Sequence, residues 1–456
     1  MKFTKRVVFM SAAAVVALNS ANASGFKIPE QSGDSVAMAA SNIATSFSAD
    51  AAYYNPANMV FLGGGHELGI SAQYLRLGSL DFKNRSTRFG DLNYDTSSEV
   101  GHFFVPGLNF ISPFVGDRVR FGLSLSVPAG MTMRWEDPYP KSIAEHFEIQ
   151  VLEFAPSVAV MLSDNLSVAA GIRAAYTSGK VKNEVSNATI SAEIPGLGTQ
   201  SGNLSARREL TGDSLDFGYN LALTYKPIEN LSLAATYRSK INLTVEGDAK
   251  IQSDIDVPNA AALVTAYPQL APMLNKIKAG YAGTYNGDVS ITIPLPAILT
   301  LGASYQWQDW TFMFAYDRTF WSALKEFDFE YARAVPVSAM FDKPVEKDWH
   351  DTDTFRFGVA YQYSPKLRLM GGFAIDEPAA DSDKVRFELP DTKTYAYSFG
   401  ANYKFSDNLD ITGATLYQDR QARAVNASDD IAFNNLEGEF GRTSIFILNL
   451  TLNYRF

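Results

Sequence analysis

The chain has 456 residues, a formal charge of −10, no cysteine and four histidines, and 13% of it is aromatic. An acidic chain makes a poor partner for nucleic acid, and without cysteine neither a disulfide framework nor a thiolate metal site can be built. His66, His102, His146 and His350 stand in no Ser/His/Asp arrangement and at no metal-ligand spacing, so the sequence carries no enzyme signature and calls for no metal or cofactor.

Lys2, Lys5 and Arg6 precede the apolar run 7–18, and Ala21-Asn22-Ala23 follows it, the pattern of a secretory signal peptide over residues 1–23 with cleavage after Ala23. The mature chain then starts at Ser24, and loss of the three basic residues takes the charge from −10 to −13. Past Leu18 no apolar run approaches the about 20 residues of a spanning helix. An exported, aromatic-rich chain of near-neutral mean hydropathy without such a helix points to a β-barrel in the outer membrane of a Gram-negative cell.

Residues 24–62 are small and polar and show a period of neither 2 nor 3.6, so they predict a segment that is not a membrane strand. Within it, Asn55-Pro56-Ala57 predicts a preset turn: Pro56 fixes φ and removes a donor, and Asn55 can bond nearby backbone. The expectation is a plug, or hatch, over 24–62 inside a barrel formed by 63–456.

From Glu67 onward the period is two, and successive side chains of a strand point to opposite faces. Leu231, Leu233, Ala235, Tyr237, Ile241, Leu243 and Val245 alternate with polar residues such as Ser232, Thr236, Arg238 and Lys240, and predict one lipid-facing side. Fourteen such segments are predicted, at 67–77, 101–112, 118–134, 147–162, 166–183, 206–226, 231–248, 288–307, 310–325, 353–363, 367–376, 394–405, 409–420 and 442–456. Short turns alternate with long connections at 78–100, 135–146, 184–205, 249–287, 326–352, 377–393 and 421–441. Even strand number, short periplasmic turns and long outer loops are the signature of a bacterial outer-membrane barrel. The last strand ends on Phe456, which predicts recognition by the barrel-assembly machinery.

Val127-Pro128-Ala129-Gly130 interrupts the third strand. Proline donates no ladder hydrogen bond and glycine permits a bend, so Pro128, Ala129 and Gly130 predict a kink or bulge in a wall where every strand is central. In 249–287, Leu263, Tyr267, Leu270 and Leu274 recur at helical spacing despite Pro268 and Pro272, which predicts an amphipathic element on an outer loop, either an apolar capture surface or a lid on the rim. Arg238, Lys240, Arg356 and Lys404 fall on inward phases and are candidate partners for a carboxylate head group.

Several motifs together resemble the outer-membrane long-chain fatty acid and hydrocarbon transporter family (the FadL/TodX type). They are Gly25-Phe26 with the later Asn55-Pro56-Ala57; Thr236-Tyr237-Arg238-Ser239 with Gly247; and Pro294-Leu295-Pro296 through Leu301-Gly302, with Trp310, Trp321 and Phe327. To these add Phe355-Arg356-x-Gly358, Gly372-Phe373-Ala374-x-Asp376-x-Pro378 and Leu389-Pro390-Asp391. The resemblance spans the mature chain. It implies an all-β fold, a 14-stranded antiparallel barrel with an N-terminal hatch in its lumen. It also implies capture of a long-chain fatty acid or hydrocarbon at outer loops, transfer to a buried pocket that Gly25 and Phe26 approach, and lateral exit to membrane lipid at the kinked third strand. One departure is Lys393-Thr394, where the family tends to place Asp-Arg after its Pro-Asp. A general porin, a lipid-active enzyme and a purely structural barrel are the competing readings.

Overall fold

The computed structural model describes residues 25–85, 95–194, 198–428 and 435–456. The expected signal peptide, its cleavage site and Ser24 lie outside the described residues. Among those described, no helix is long and apolar enough to cross a membrane.

Fourteen antiparallel strands form one closed barrel. They are β1 (Glu67–Leu77), β2 (Gly101–Ile111), β3 (Val119–Arg134), β4 (His146–Ser163), β5 (Leu166–Ile194) and β6 (Gly198–Ile228). Next come β7 (Leu231–Arg238 continued by Ile241–Asp256), β8 (Gly283–Leu295 continued by Ile298–Trp307), β9 (Trp310–Thr319) and β10 (Thr352–Ser364). The last four are β11 (Leu367–Asp376), β12 (Thr394–Lys404), β13 (Leu409–Arg420) and β14 (Thr443–Arg455). The ring shuts where β1 pairs with β14, from Glu67↔Arg455 to Leu77↔Ile445. Alternation gives each strand two faces: Phe355 and Phe357 stand exposed on the lipid side while Arg356 between them is buried in the lumen.

The strand number matches the sequence reading, but several boundaries do not. β5 and β6 run through the predicted loop 184–205, because Val185, Leu204, Ala206 and Leu210 keep the inward phase and pack on Ile251, Tyr285 and Phe341. β7 and β8 likewise reach Asp256 and Gly283, and β9 ends at Thr319, where the chain turns into Trp321–Ala323. β7 is not one continuous face. It breaks at Ser239-Lys240 and its phase inverts, so Leu233 is exposed whereas Ile241, Leu243 and Val245 are buried and Lys240 is exposed. β8 breaks beside it at Pro296-Ala297.

The N-terminal segment carries two short helices, α1 (Gly33–Ala37) and α2 (Ala51–Tyr54), then the turn Pro56–Phe61. Ser32 caps α1 through a capping box with Ser35. Its hydrogen bonds reach strands all round the ring. Gly33 N donates to Thr451 Oγ1 of β14 (2.8 Å), Ser398 Oγ of β12 to Ala37 O (2.9 Å), and Arg356 of β10 to Ala39 O (3.0 Å). On the far side Asn55 Nδ2 donates to Thr224 of β6 (2.8 Å) and Ser167 of β5 to Ala57 O (2.6 Å). Its partners thus stand on β5, β6, β10, β12 and β14. Room is made by inward glycines: a Cβ on Gly358 or Gly372 would collide with Ser41 or with the Met38 backbone, which accounts for two of the motif glycines.

Candidate functional site

The site is built where β3 leaves the wall. The β2–β3 ladder covers only Leu108↔Leu125 to Ile111↔Gly122 and contact resumes at Glu99 N to Arg134 O (3.0 Å). Between these points lies a window in the wall, bounded by β2 on one side and Leu125–Arg134 on the other. Its cause is local. Against β4, Ser126 pairs with Glu153 and Ala129 with Val151, so β3 holds one extra residue, a bulge at Val127-Pro128. From Ser126 to Met133 every residue is buried, both faces being shielded. Pro106 on the facing stretch of β2 has no amide to donate either; it went unnoticed in the sequence because its strand is otherwise regular.

The N-terminal chain fills the window from inside. Ile28 N donates to Pro128 O (2.8 Å) and Gly130 N to Phe26 O (2.9 Å), with Lys27 and Ala129 as bridge partners. Pro128, Ala129 and Gly130 are therefore brought together with Gly25 and Phe26. Phe26 packs edge-on against Trp321, ring centroids 5.1 Å apart. Gly25 adopts φ +69°, and a Cβ there would strike Trp321, so only glycine serves. Its amide donates to Asp391 Oδ1 (3.0 Å), while Oδ2 accepts from Ala379 N (2.5 Å) and Ala380 N (3.0 Å).

Behind the window a cavity of about 70 Å³ is lined by Lys27, Tyr53, Pro128, Arg173, Arg238 and Arg356 among others. The two arginines expected to meet a head group are both here. Arg356 bonds Asp317 Oδ2 (2.9 Å), and Arg238 pairs with Glu153, which also takes the Arg173 Nε at 2.8 Å. Arg238 Nη1 remains buried without a hydrogen-bond partner among the described residues. Of the other inward-phase candidates, Lys240 is exposed beside the β7 break and Lys404 pairs with Asp407 (3.2 Å) in a short turn; neither reaches the cavity. Glu153, Arg173 and Lys27 escaped sequence reasoning, since alternation tells which face a side chain takes and not which strand it meets.

A second cavity of about 70 Å³ lies toward the outer loops, lined by Phe147, Phe327, Phe329, Phe341, Asn183 and Arg208. A third of about 40 Å³ shares Phe147 and Phe329 and is bounded by Val289, Ile291 and Ile293 of β8. Leu295, two residues further along that face, lines the inner cavity. A hollow of about 700 Å³ among Phe312, Phe314, Phe357 and Phe373 lies on the lipid side of the wall.

Asn55, Pro56 and Ala57 meet β5 and β6 rather than the window. Asn55 Nδ2 also donates to Ile43 O (2.8 Å), and Asn55 Oδ1 accepts from Ala57 N (3.1 Å) at the start of the Pro56 turn. The expected capture element forms two helices, α3 (Ala260–Ala266) and α4 (Ala271–Tyr281), parted at Pro268. Tyr267 is exposed and Leu263 and Leu270 half-buried, but Leu274 is buried against the rim, so the four do not share one open face.

A family model described as outer membrane protein transport protein (OMPP1/FadL/TodX) matches residues 13–456. The chain belongs to this family. It is similar to the long-chain fatty acid transport protein of Escherichia coli, 24% identical over 367 residues, 77% of each chain. Among solved structures it resembles a FadL homologue of Pseudomonas aeruginosa, with TM-score 0.76, 20% identity, and coverage of 94% of this chain and 99% of that one. It also resembles the toluene transporter TbuX of Ralstonia pickettii, with TM-score 0.65, 18% identity, and coverage of 93% and 98%. As a FadL/TodX member the protein is an outer-membrane transporter and not an enzyme. Where it departs from the family pattern, Lys393 pairs on the surface with Glu377 (3.0 Å) and Thr394 opens β12, leaving Asp391 as the polar hub of that junction.

The N-terminal segment of this FadL/TodX protein also holds a buried acid pair. Ser48 Oγ bridges Asp34 Oδ2 (3.0 Å) and Asp50 Oδ1 (3.1 Å), and Ser32 donates to Asp50 Oδ2 (2.7 Å). Burial, and then the neighbouring Asp34, push the Asp50 carboxyl from 3.8 up to about 7. A carboxyl raised in this packed segment favours packing when protonated, and that contribution is lost as pH rises through about 7. Hydrogen exchange over residues 32–54, corrected for intrinsic rates, is therefore expected to show this segment loosening from pH 5 to 8. Asp50→Asn should flatten this dependence.

Proposed function

We propose that the protein carries long-chain fatty acids across the outer membrane, from the outer cavity through the lumen to the window beside β3, with lateral release into lipid. The observation that carries this reading is the junction of window and cationic pocket: the interrupted β2–β3 ladder lies against a cavity lined by Lys27, Arg173, Arg238 and Arg356. The free Nη1 of Arg238 suits a carboxylate, because charge-assisted hydrogen bonds are the strong ones. The aromatic outer cavity with Arg208 suits an amphipathic cargo arriving tail or head first, and the apolar face of β8 supplies a path between. Lateral exit follows from the chemistry, since each CH₂ gains about 0.8 kcal/mol by leaving water for hydrocarbon.

In this reading residues 24–62 act as a hatch. A cavity of about 70 Å³ is far below the roughly 300–1,000 Å³ of ligand pockets, so an alkyl chain enters only when the 26–28 segment or the hatch shifts, with Asn55-Pro56-Ala57 as its turn. Leu263, Tyr267 and Leu270 offer apolar surface at the rim for first contact. Exposed Phe456, whose ring stacks on His66 at 4.8 Å, ends the strand that the assembly machinery engages. Aromatic or aliphatic hydrocarbon is the second reading, favoured by the phenylalanines of the outer cavity. A general diffusion pore fits poorly with a lumen this full.

Binding by purified protein separates the two cargoes. Arg238→Met is expected to weaken oleate binding by about 1.5–3 kcal/mol, roughly ten- to hundredfold, and to leave an alkane of equal length unaffected. Equal losses for both ligands would remove Arg238 from head-group recognition.

A further inference from the structure

Gln31 does at the window what a neighbouring strand would do. Its side-chain Nε2 donates to Val127 O (2.9 Å), and its Oε1 accepts from Val127 N (2.9 Å). The carboxamide thus satisfies both backbone groups of the bulged residue, as a ladder partner would. Nε2 also donates to Ile28 O (2.7 Å), binding the strap that pairs with β3. Gln31 is buried.

The same residue is tied to the cationic pocket. Gln31 N donates to the Tyr54 hydroxyl (2.7 Å), which donates to Pro29 O (2.8 Å). The Tyr54 ring meets Tyr53 edge-on at 4.9 Å, and the Arg238 guanidinium lies over the Tyr53 ring, 4.6 Å from its centroid. Both tyrosines belong to α2, which leads straight into Asn55-Pro56-Ala57. A contiguous line of contacts therefore runs from the unpartnered Nη1 of Arg238 to the bulge that opens the wall.

We propose that Gln31 is the latch of the window and Tyr53 the positioning residue that releases it. An anion seated on Arg238 Nη1 draws the guanidinium toward itself, and the Tyr53 ring, held against that guanidinium, is pulled along with it. α2 then loosens, Tyr54 shifts, and Gln31 lets go of Val127 and Ile28. The inference rests on the reading of Arg238 as the head-group site. In this proposal a ligand biases the contacts between the latched arrangement and a released one, which is what coupling between sites requires.

The test pairs oleate binding to purified protein with initial oleate uptake by cells, in strains whose barrels show wild-type heat-modifiable migration. Tyr53→Leu is expected to bind oleate within about twofold of wild type yet transport it with a maximal rate about three- to thirtyfold lower, the span of a cation–π contact. Tyr53→Phe keeps the ring and should restore the rate. Adding Gln31→Ala to Tyr53→Leu should also restore it, because the latch no longer needs release; such non-additivity is the mark of a shared line. An unchanged maximal rate in Tyr53→Leu, or a double variant as slow as the single one, would overturn the coupling. Wild-type protein that binds no oleate would instead overturn the fatty acid reading on which it rests.

Discussion

Deleting Pro128 is expected to abolish uptake of fatty acid while the barrel still assembles. The bulge consists of one surplus residue: three steps along β3, from Ser126 to Ala129, match two along β4, from Glu153 to Val151. Removing one residue equalises the steps, restores the inward phase that Arg120, Gly122, Ser124 and Ser126 begin, and lets β3 run on beside β2. With the ladder continued past Leu108↔Leu125 the window closes. Cargo would then have to pass the hatch into water, giving up about 0.8 kcal/mol per CH₂ that hydrocarbon offers. Radiolabelled oleate uptake should fall to that of a strain lacking the protein, with heat-modifiable migration unchanged. Retained uptake would mean that cargo leaves elsewhere.

Most of this architecture can be read in the sequence because a barrel repeats one rule. Period two, short turns such as Ser163-Asp164-Asn165 and an even strand number suffice for the ring, and a proline inside an otherwise regular strand marks the bulge. Failures occur where the rule is local and the fold is not. Leu231 to Val245 reads as one face, yet the break at Ser239-Lys240 inverts the phase, because β7 there pairs with β6 at Asn220↔Arg238 below and again only from Asp213↔Glu246 above. Leu274 has helical spacing suited to an open apolar face, but the rim covers it. Arg238 and Arg356 were visible as inward charges. Their partners Glu153 and Asp317 lie on other strands, and nothing in the spacing of one strand names a residue on another. Gln31 is hidden for the same reason, in a segment without period whose partners stand on several strands.

The hatch segment and the window are joined at Lys27 and Ala129, and this pair allows the sharpest intervention. They are antiparallel bridge partners, and opposite residues in such pairs lie about 4.5–5.5 Å apart at Cα, within disulfide range. The chain has no cysteine of its own, so Lys27→Cys with Ala129→Cys creates a single defined crosslink. It would fix the strap across the window and take from the cavity behind it the Lys27 ammonium, with its bond to Thr319 Oγ1 (2.9 Å). The reduced double variant controls for that loss. If cargo leaves through this window, oleate uptake by cells carrying the oxidised protein drops to background and returns on addition of a membrane-permeant reductant. Undiminished uptake with the crosslink confirmed by mass spectrometry would contradict lateral release at β3.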